Sequence, residues 1–302
     1  MQNSLSKAFW AAQLFFLLLV LPIFSSPAHA SPLGIGSGVF EIQETTGTDA
    51  SPLRSYYHRP AGWADGDPIV IVFHGLNRNA KEYCDGWATY ADAHNYLIIC
   101  PEFTQTKYPG VRYYNLGNVT NSEDMGGTIQ PQDQWIFPVI DHVIQKTKLA
   151  ADAKKSKVIL FAHSAGAQLI HRYILFGGDT NANLIIASNA GWYTMTDFDT
   201  EYPYGLQNVP VQENTLKKAF AKPVLILLGE QDVQRTKVLR KTIEADLQGQ
   251  NRLERGKYFY ESAKLEAEIL HTPFNWKLSI VPNVGHDGVK MAIGAIPYIE
   301  SL

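Results

Sequence analysis

The stretch Lys157-Val158-Ile159-Leu160-Phe161-Ala162-His163-Ser164-Ala165-Gly166 runs an apolar strand into a helix with a serine at the bend. Residues 158–161 show no polar alternation, the pattern of a strand buried on both faces of a parallel sheet. Beyond the serine, Ala165, Leu169, Ile170 and Tyr173 recur at helical spacing, so the period changes at Ser164. A serine held at such a turn has its hydroxyl pushed outward, beside the first backbone N–H groups of the helix. Those are the parts that a nucleophile for acyl transfer needs. The bend is tight and demands small residues two before and two after the serine; here they are Ala162, where glycine is usual, and Gly166. The same letters also suit a serine that merely caps a helix, so the motif needs partners elsewhere in the chain.

Working outward, the spacing predicts further apolar strands at 69–73, 96–100, 184–188, 224–229 and 276–281, separated by helical patterns at 80–95, 134–149, 237–247, 255–270 and 289–299. Two short strands at 38–43 and 54–59 form an antiparallel edge. Alternation of strand and helix gives a three-layer α/β/α sandwich around a mostly parallel sheet. Sites in such sheets lie beyond the carboxyl ends of the strands. Four features fall there independently: His74-Gly75 after one strand, Ser164 after the next, Asp232 after the strand at 224–229, and His286 after the last. The loop opening with His74-Gly75 can present the backbone N–H of Leu76 to that edge, and the N–H of Ala165 opens the helix after the serine. Trp192 and Tyr193 follow the strand at 184–188, where they either line a pocket mouth or pack beneath a loop.

Each assignment has rivals. His163 neighbours the serine, but adjacent side chains at a tight bend point apart, so it is expected to pack or order the turn; His74 is expected to be structural. His142 and His171 lie on helices, where core or surface roles are the default. His286, in a glycine-flanked loop, is the histidine placed to reach Ser164. For the acid, Glu230 and Asp287 compete with Asp232, which lies one short turn beyond its strand.

The nucleophile, acid, histidine order is the one used by the α/β-hydrolase fold. Over residues 31–302 the chain resembles that superfamily, and in layout it is similar to secreted esterases of the polyhydroxybutyrate depolymerase and feruloyl esterase group. The resemblance implies a cofactor-independent serine hydrolase. Ser164 would attack an acyl carbonyl, His286 would carry the proton and Asp232 would orient the imidazolium, while the N–H groups of Leu76 and Ala165 would hold the oxyanion.

With 302 residues, 45% of them hydrophobic and 18% charged, the chain can bury one large core. A formal net charge of −3 with dispersed Lys and Arg offers no footprint for nucleic acid. The first thirty residues differ in kind: Lys7, an apolar run over 9–24, then Ser25-Ser26-Pro27-Ala28-His29-Ala30. This reads as a secretory signal peptide cut after Ala30, with an uncleaved anchor as the alternative. The mature domain would be secreted or periplasmic, with no stable membrane insertion, and a monomer is the expectation. Export makes a disulfide between Cys84 and Cys100 one reading, worth about 3 kcal/mol for so short a loop; two buried free thiols are the other.

Export also suits the breakdown of small or polymeric esters, such as a polyester or a plant cell-wall ester. A peptidase or thioesterase with the same three residues is the alternative, and a binding protein that kept the fold but lost catalysis is a second. Metal-dependent hydrolysis finds no His-x-His or His-Glu-x-x-His spacing. The segment 104–131, rich in Gly, Asn and Tyr, has no firm periodicity and reads as a functional or mobile loop, in which Asp124-Met125-Gly126-Gly127 matches no cation cage and reads as solvated.

Overall fold

Apolar runs with no polar alternation require cover on both faces, and the computed structural model, which describes residues 33–178 and 182–302, supplies it. The expected signal peptide lies outside the described residues. The chain forms strands β1 (Gly36–Ile42), β2 (Leu53–Arg59) and β3 (Ile69–Phe73), helix α1 (Ala80–His94), β4 (Leu97–Pro101) and a short α2 (Gly110–Tyr114). Helix α3 (Phe137–Ala150), β5 (Val158–His163), α4 (Ala165–Leu175) and β6 (Leu184–Ser188) follow. Then come α5 (Glu213–Phe220), β7 (Val224–Gly229), α6 (Ile243–Leu247), α7 (Arg252–Ile269), β8 (Lys277–Val281) and α8 (Gly288–Glu300).

The eight strands lie in the order β1-β2-β4-β3-β5-β6-β7-β8. The β1–β2 and β2–β4 pairs are antiparallel and all others parallel. The expected α/β-hydrolase architecture is the one observed. Alternate residues of each central strand enter different cores. Ile69, Ile71 and Phe73 of β3 join Leu160 and Ala162 of β5 against α3, α4, α5 and α7, while Val70 and Val72 join Phe161 against α1 and α8. Burying one such leucine or isoleucine stabilises by about 2 kcal/mol, so the cover on each face holds the strand ends in register.

Three expectations need correction. Residues 237–247 are not one helix: only α6 is helical, started by Thr242, whose hydroxyl accepts from the N–H of Ala245, while 237–242 run as a loop. The segment 104–131 divides: 121–130, around Asp124, is the exposed loop expected there, while 114–120 is buried. Tyr108, Tyr114, Leu116 and Val119 are fully buried in it, and the Arg78 guanidinium ties it down by donating to the carbonyls of Phe103 and Gly110. Finally, Cys84 of α1 and Cys100 of β4 are two buried free thiols rather than a disulfide. Burial first, and then the neighbouring Cys84 thiol, push the Cys100 thiol well above its ordinary pKa, which keeps it protonated and slow to exchange.

Candidate active site

The bend between β5 and α4 is strained. Ser164 sits at φ 58° and ψ −113°, a conformation that side chains other than glycine rarely adopt. The strain is held by packing on both sides. Gly166 N–H donates to the carbonyl of His74 at 3.1 Å, and a Cβ added at Gly166 would meet the Phe73 carbonyl oxygen at 2.6 Å. Only glycine lets α4 start this close to the end of β3, and that approach aims the Ser164 hydroxyl away from the sheet.

The structure brings Ser164, His286 and Asp232 into one line. Ser164 Oγ lies 3.0 Å from His286 Nε2, and His286 Nδ1 lies 2.7 Å from Asp232 Oδ2. With a carboxylate against Nδ1, the proton sits on Nδ1, and Nε2 is free to accept from the serine hydroxyl. The Asp232 carboxylate is 1% exposed and the imidazole 29% exposed, so the far end of the line is dry and the near end open. Asp232 follows β7 by a tight turn in which its N–H donates to the Gly229 carbonyl. Its rivals are engaged elsewhere: Glu230 accepts from the N–H of Asn283, and Asp287 caps α8 by accepting from Val289 and Lys290.

Leu76 and Ala165 flank the serine, and neither backbone N–H finds an acceptor among the described residues. For Ala165 this follows from its place at the start of α4, where the first N–H groups have no intrahelical partner. Two orphan donors beside a nucleophile are the constellation that stabilises a tetrahedral oxyanion, and each is typically worth about 3 kcal/mol.

The remaining histidines hold the scaffold. His74 is buried, donates from Nδ1 to the Gly75 carbonyl and accepts at Nε2 from the N–H of Phe103; burial pushes its pKa down to about 3. His171 likewise bridges the Ala167 carbonyl and the Thr194 N–H, and burial holds it neutral. His163 is fully buried, its Nδ1 meets the Tyr83 hydroxyl at 2.7 Å, and its ring centre lies 4.7 Å from that of His286. Burial, then the charges of His286 and Arg252, push its pKa well down. His142, half-exposed on α3, pairs with the buried Glu44 at 2.8 Å and takes no part in this line.

A cavity of about 280 Å³ opens on Ser164. Trp192 lines it, wedged between the guanidinium groups of Arg172 and Arg240, 4.4 and 4.9 Å from its ring centre. Tyr193 does not: it is buried behind the wall, stacked on Phe259 at 4.4 Å. The sequence reading missed Arg252, whose Nη1 donates to Asp232 Oδ1 at 3.3 Å, with only 3% of the side chain exposed. Nor did it single out Tyr83, or the lining residues Asn115, Gln168, Lys237 and Arg240. Among the described residues no His, Cys, Asp and Glu cluster could hold a metal ion.

The fold has counterparts among solved structures. Poly(aspartic acid) hydrolase-1 from Sphingomonas sp. KT-1 superposes with a TM-score of 0.82 at 33% identity, over 89% of this chain and 100% of that one. A poly(3-hydroxybutyrate) depolymerase from Bordetella parapertussis gives 0.80 at 31% identity, over 89% and 92%. A fluorophosphonate-binding serine hydrolase of Staphylococcus aureus shares the fold alone, at 14% identity and a TM-score of 0.52 over 89% and 98%. No family model and no curated protein matches the chain.

Proposed function

Because the chain belongs to the α/β-hydrolase superfamily, in its polyhydroxybutyrate depolymerase-like group, and is a hydrolase of that fold, we propose that it cleaves carboxylic esters through an acyl-enzyme on Ser164. The observation that carries this reading is the continuous Asp232–His286–Ser164 line beside two unpartnered N–H groups. His286 Nε2 takes the hydroxyl proton as Ser164 Oγ attacks the acyl carbon. The developing oxyanion takes hydrogen bonds from the N–H groups of Leu76 and Ala165. The tetrahedral adduct collapses, and the imidazolium, stabilised by Asp232, returns the proton to the departing alcohol. Water then repeats the sequence against the acyl-enzyme. No cofactor enters any step.

Export through the segment 1–30 would place the mature enzyme outside the cytoplasm, where polymeric or conjugated esters are met. Within the described residues no helix is long and apolar enough to cross a membrane. A second reading, cleavage of an amide-linked polymer by the same three residues, is favoured by the likeness to a poly(aspartic acid) hydrolase.

The test is a panel of p-nitrophenyl, short alkyl and polymeric esters, with poly(aspartic acid) beside them, run on wild type and Ser164→Ala. Turnover should fall about 10⁶-fold in the variant, and a fluorophosphonate probe should label only the wild type. Equal turnover by both proteins, or no labelling of wild type, would overturn the proposal. Cleavage of poly(aspartic acid) but of no ester would replace it with the second reading.

A further inference from the structure

The walls of the cavity above Ser164 carry a charge that the reaction does not need. Its lining includes three cations, Lys237, Arg240 and Arg252, and no carboxylate, in a chain whose formal net charge is −3. Arg252 is committed to Asp232. Arg240 is paired along one edge only, and Lys237 not at all among the described residues. Arg240 is fixed by its Nε donating to the Tyr204 hydroxyl, by Asp124 at 2.8 Å from Nη2, and by stacking on Trp192, while its Nη1 makes no hydrogen bond among the described residues. Lys237, on the loop before α6, is exposed and forms no ion pair with a described residue.

A second observation is independent of charge. Asn115 and Gln168 lie on the same cavity, 3% and 7% exposed, and their side-chain carbonyl oxygens Oδ1 and Oε1 are buried without a hydrogen-bond partner among the described residues. A buried polar atom left unpaired costs about 1 to 3 kcal/mol, so such atoms mark places where a ligand or water completes the site. Both residues line the cavity that holds the oxyanion donors, with the oxygens themselves covered.

The cavity also has a direction. It is lined by Ser164, Leu76 and Ala165 but not by His286, the group that hands the proton to the leaving alcohol. With the proton donor to the alcohol on the histidine side, this cavity is the one open to the acyl chain.

We propose that this cavity selects an acyl chain bearing a carboxylate, held by Lys237 and the free edge of Arg240, with Asn115 and Gln168 taking hydrogen bonds from polar groups along the chain. This rests on the hydrolase reading above and deepens it: the substrate is an anionic acyl compound rather than a purely aliphatic ester. A rigid guanidinium with one open edge is suited to a carboxylate, and the mobile ammonium of Lys237 adds a second contact.

The experiment compares two esters of nearly equal shape, mono-p-nitrophenyl adipate, which carries a free carboxylate, and p-nitrophenyl methyl adipate, which does not. Wild type should favour the anion about tenfold in kcat/KM at low salt, mainly through KM, and the ratio should shrink toward one in molar salt. Lys237→Ala and Arg240→Gln should each lower the ratio about threefold or more, and Lys237→Arg should retain it. Lys237 is exposed on a loop, so its variants report even if Arg240→Gln fails to fold. A wild-type ratio of one or less, or a ratio unchanged by both Lys237→Ala and Arg240→Gln, overturns the inference while the ester hydrolase reading stands. Turnover of neither ester, with no fluorophosphonate labelling, ends both.

Discussion

The two sides of the catalytic cleft are built differently. One side is made of strand ends: Ser164 after β5, Asp232 after β7, His286 after β8 and the Leu76 N–H after β3, each held by a parallel neighbour, with β3, β5 and β7 fully buried and the edge strand β8 half-exposed. The other is made of loops, the segment 104–131 and the stretch 237–242, joined by side-chain pairs such as Arg240 with Asp124. The first side has little freedom, because moving one strand end drags the sheet with it. The second can change length and charge without disturbing the sheet, which is where a family would vary its substrates. Chemistry should therefore fail abruptly when the strand-end side is altered, and selectivity should shift gradually when the loop side is.

Beyond the nucleophile itself, the largest effect is expected at Asp232. Asp232→Asn keeps the shape but reverses the proton preference at His286 Nδ1, and kcat should fall about 10⁴-fold with little change in KM. Steady-state kinetics on a p-nitrophenyl ester measures it. A loss below tenfold would move the acid to Glu230 or Asp287 and break the claim that this side is rigidly specified.

Acid should attack the same side next. His74, His163 and His171 are buried and neutral, with pKa values pushed down by burial, to about 3 for His74. The unfolded chain protonates them near pH 6.5, about the ordinary histidine value. Below that pH the unfolded state binds more protons than the folded one, so their contribution is complete above about pH 6.5 and is lost as pH falls toward the folded values. Three such groups set a maximum slope of about 4 kcal/mol per pH unit. Urea midpoints at pH 8, 6 and 5 should fall in that order, and a flat series would contradict the burial of these rings.

Arg252 joins the two sides, touching both Asp232 and the substrate cavity. Arg252→Met leaves the Asp232 charge buried with one partner fewer, and thermal or urea unfolding should show a loss of about 3 kcal/mol. Arg252→Lys should recover part of it. If both variants unfold like wild type, the pair contributes nothing and the two sides are energetically independent.

How much of this was readable in the sequence follows the same division. The strand runs at 69–73, 184–188 and 224–229 have the boundaries seen in β3, β6 and β7, because a strand buried on both faces has no polar residue to blur its ends. The runs at 158–161 and 224–229 placed Ser164 and Asp232 at one edge of the sheet. The loop side was misread where local pattern and tertiary contact disagree: 237–247 was read as one helix, yet Val238 is 68% exposed and the Arg240 guanidinium lies 4.9 Å from the Trp192 ring centre. Better signals were present. Thr242 as a helix cap, and Asn251 followed three residues later by Glu254 as a capping pattern, start α6 and α7 where the structure does. Arg252 was beyond reach, since nothing in a helix start says that a strand-end carboxylate will lie beside it.

The smallest effect expected is at Tyr83, and it asks whether the strand-end side extends one layer further out. Its hydroxyl meets His163 Nδ1 at 2.7 Å, and the His163 ring lies 4.7 Å from that of His286. His163 Nε2 is buried without a partner, so the tyrosine is the sole hydrogen bond orienting this imidazole among the described residues. Tyr83→Phe removes the hydroxyl and keeps the ring, at a cost of about 1 kcal/mol in stability. If His163 only fills space, kcat should stay within the error of measurement. If it sets the tilt of His286, kcat should drop by about threefold while KM holds, since a small misalignment of the base acts on the transition state more than on binding. A change confined to KM would instead assign Tyr83 to the substrate side, and the boundary between the two halves of the cleft would have to be drawn through α1.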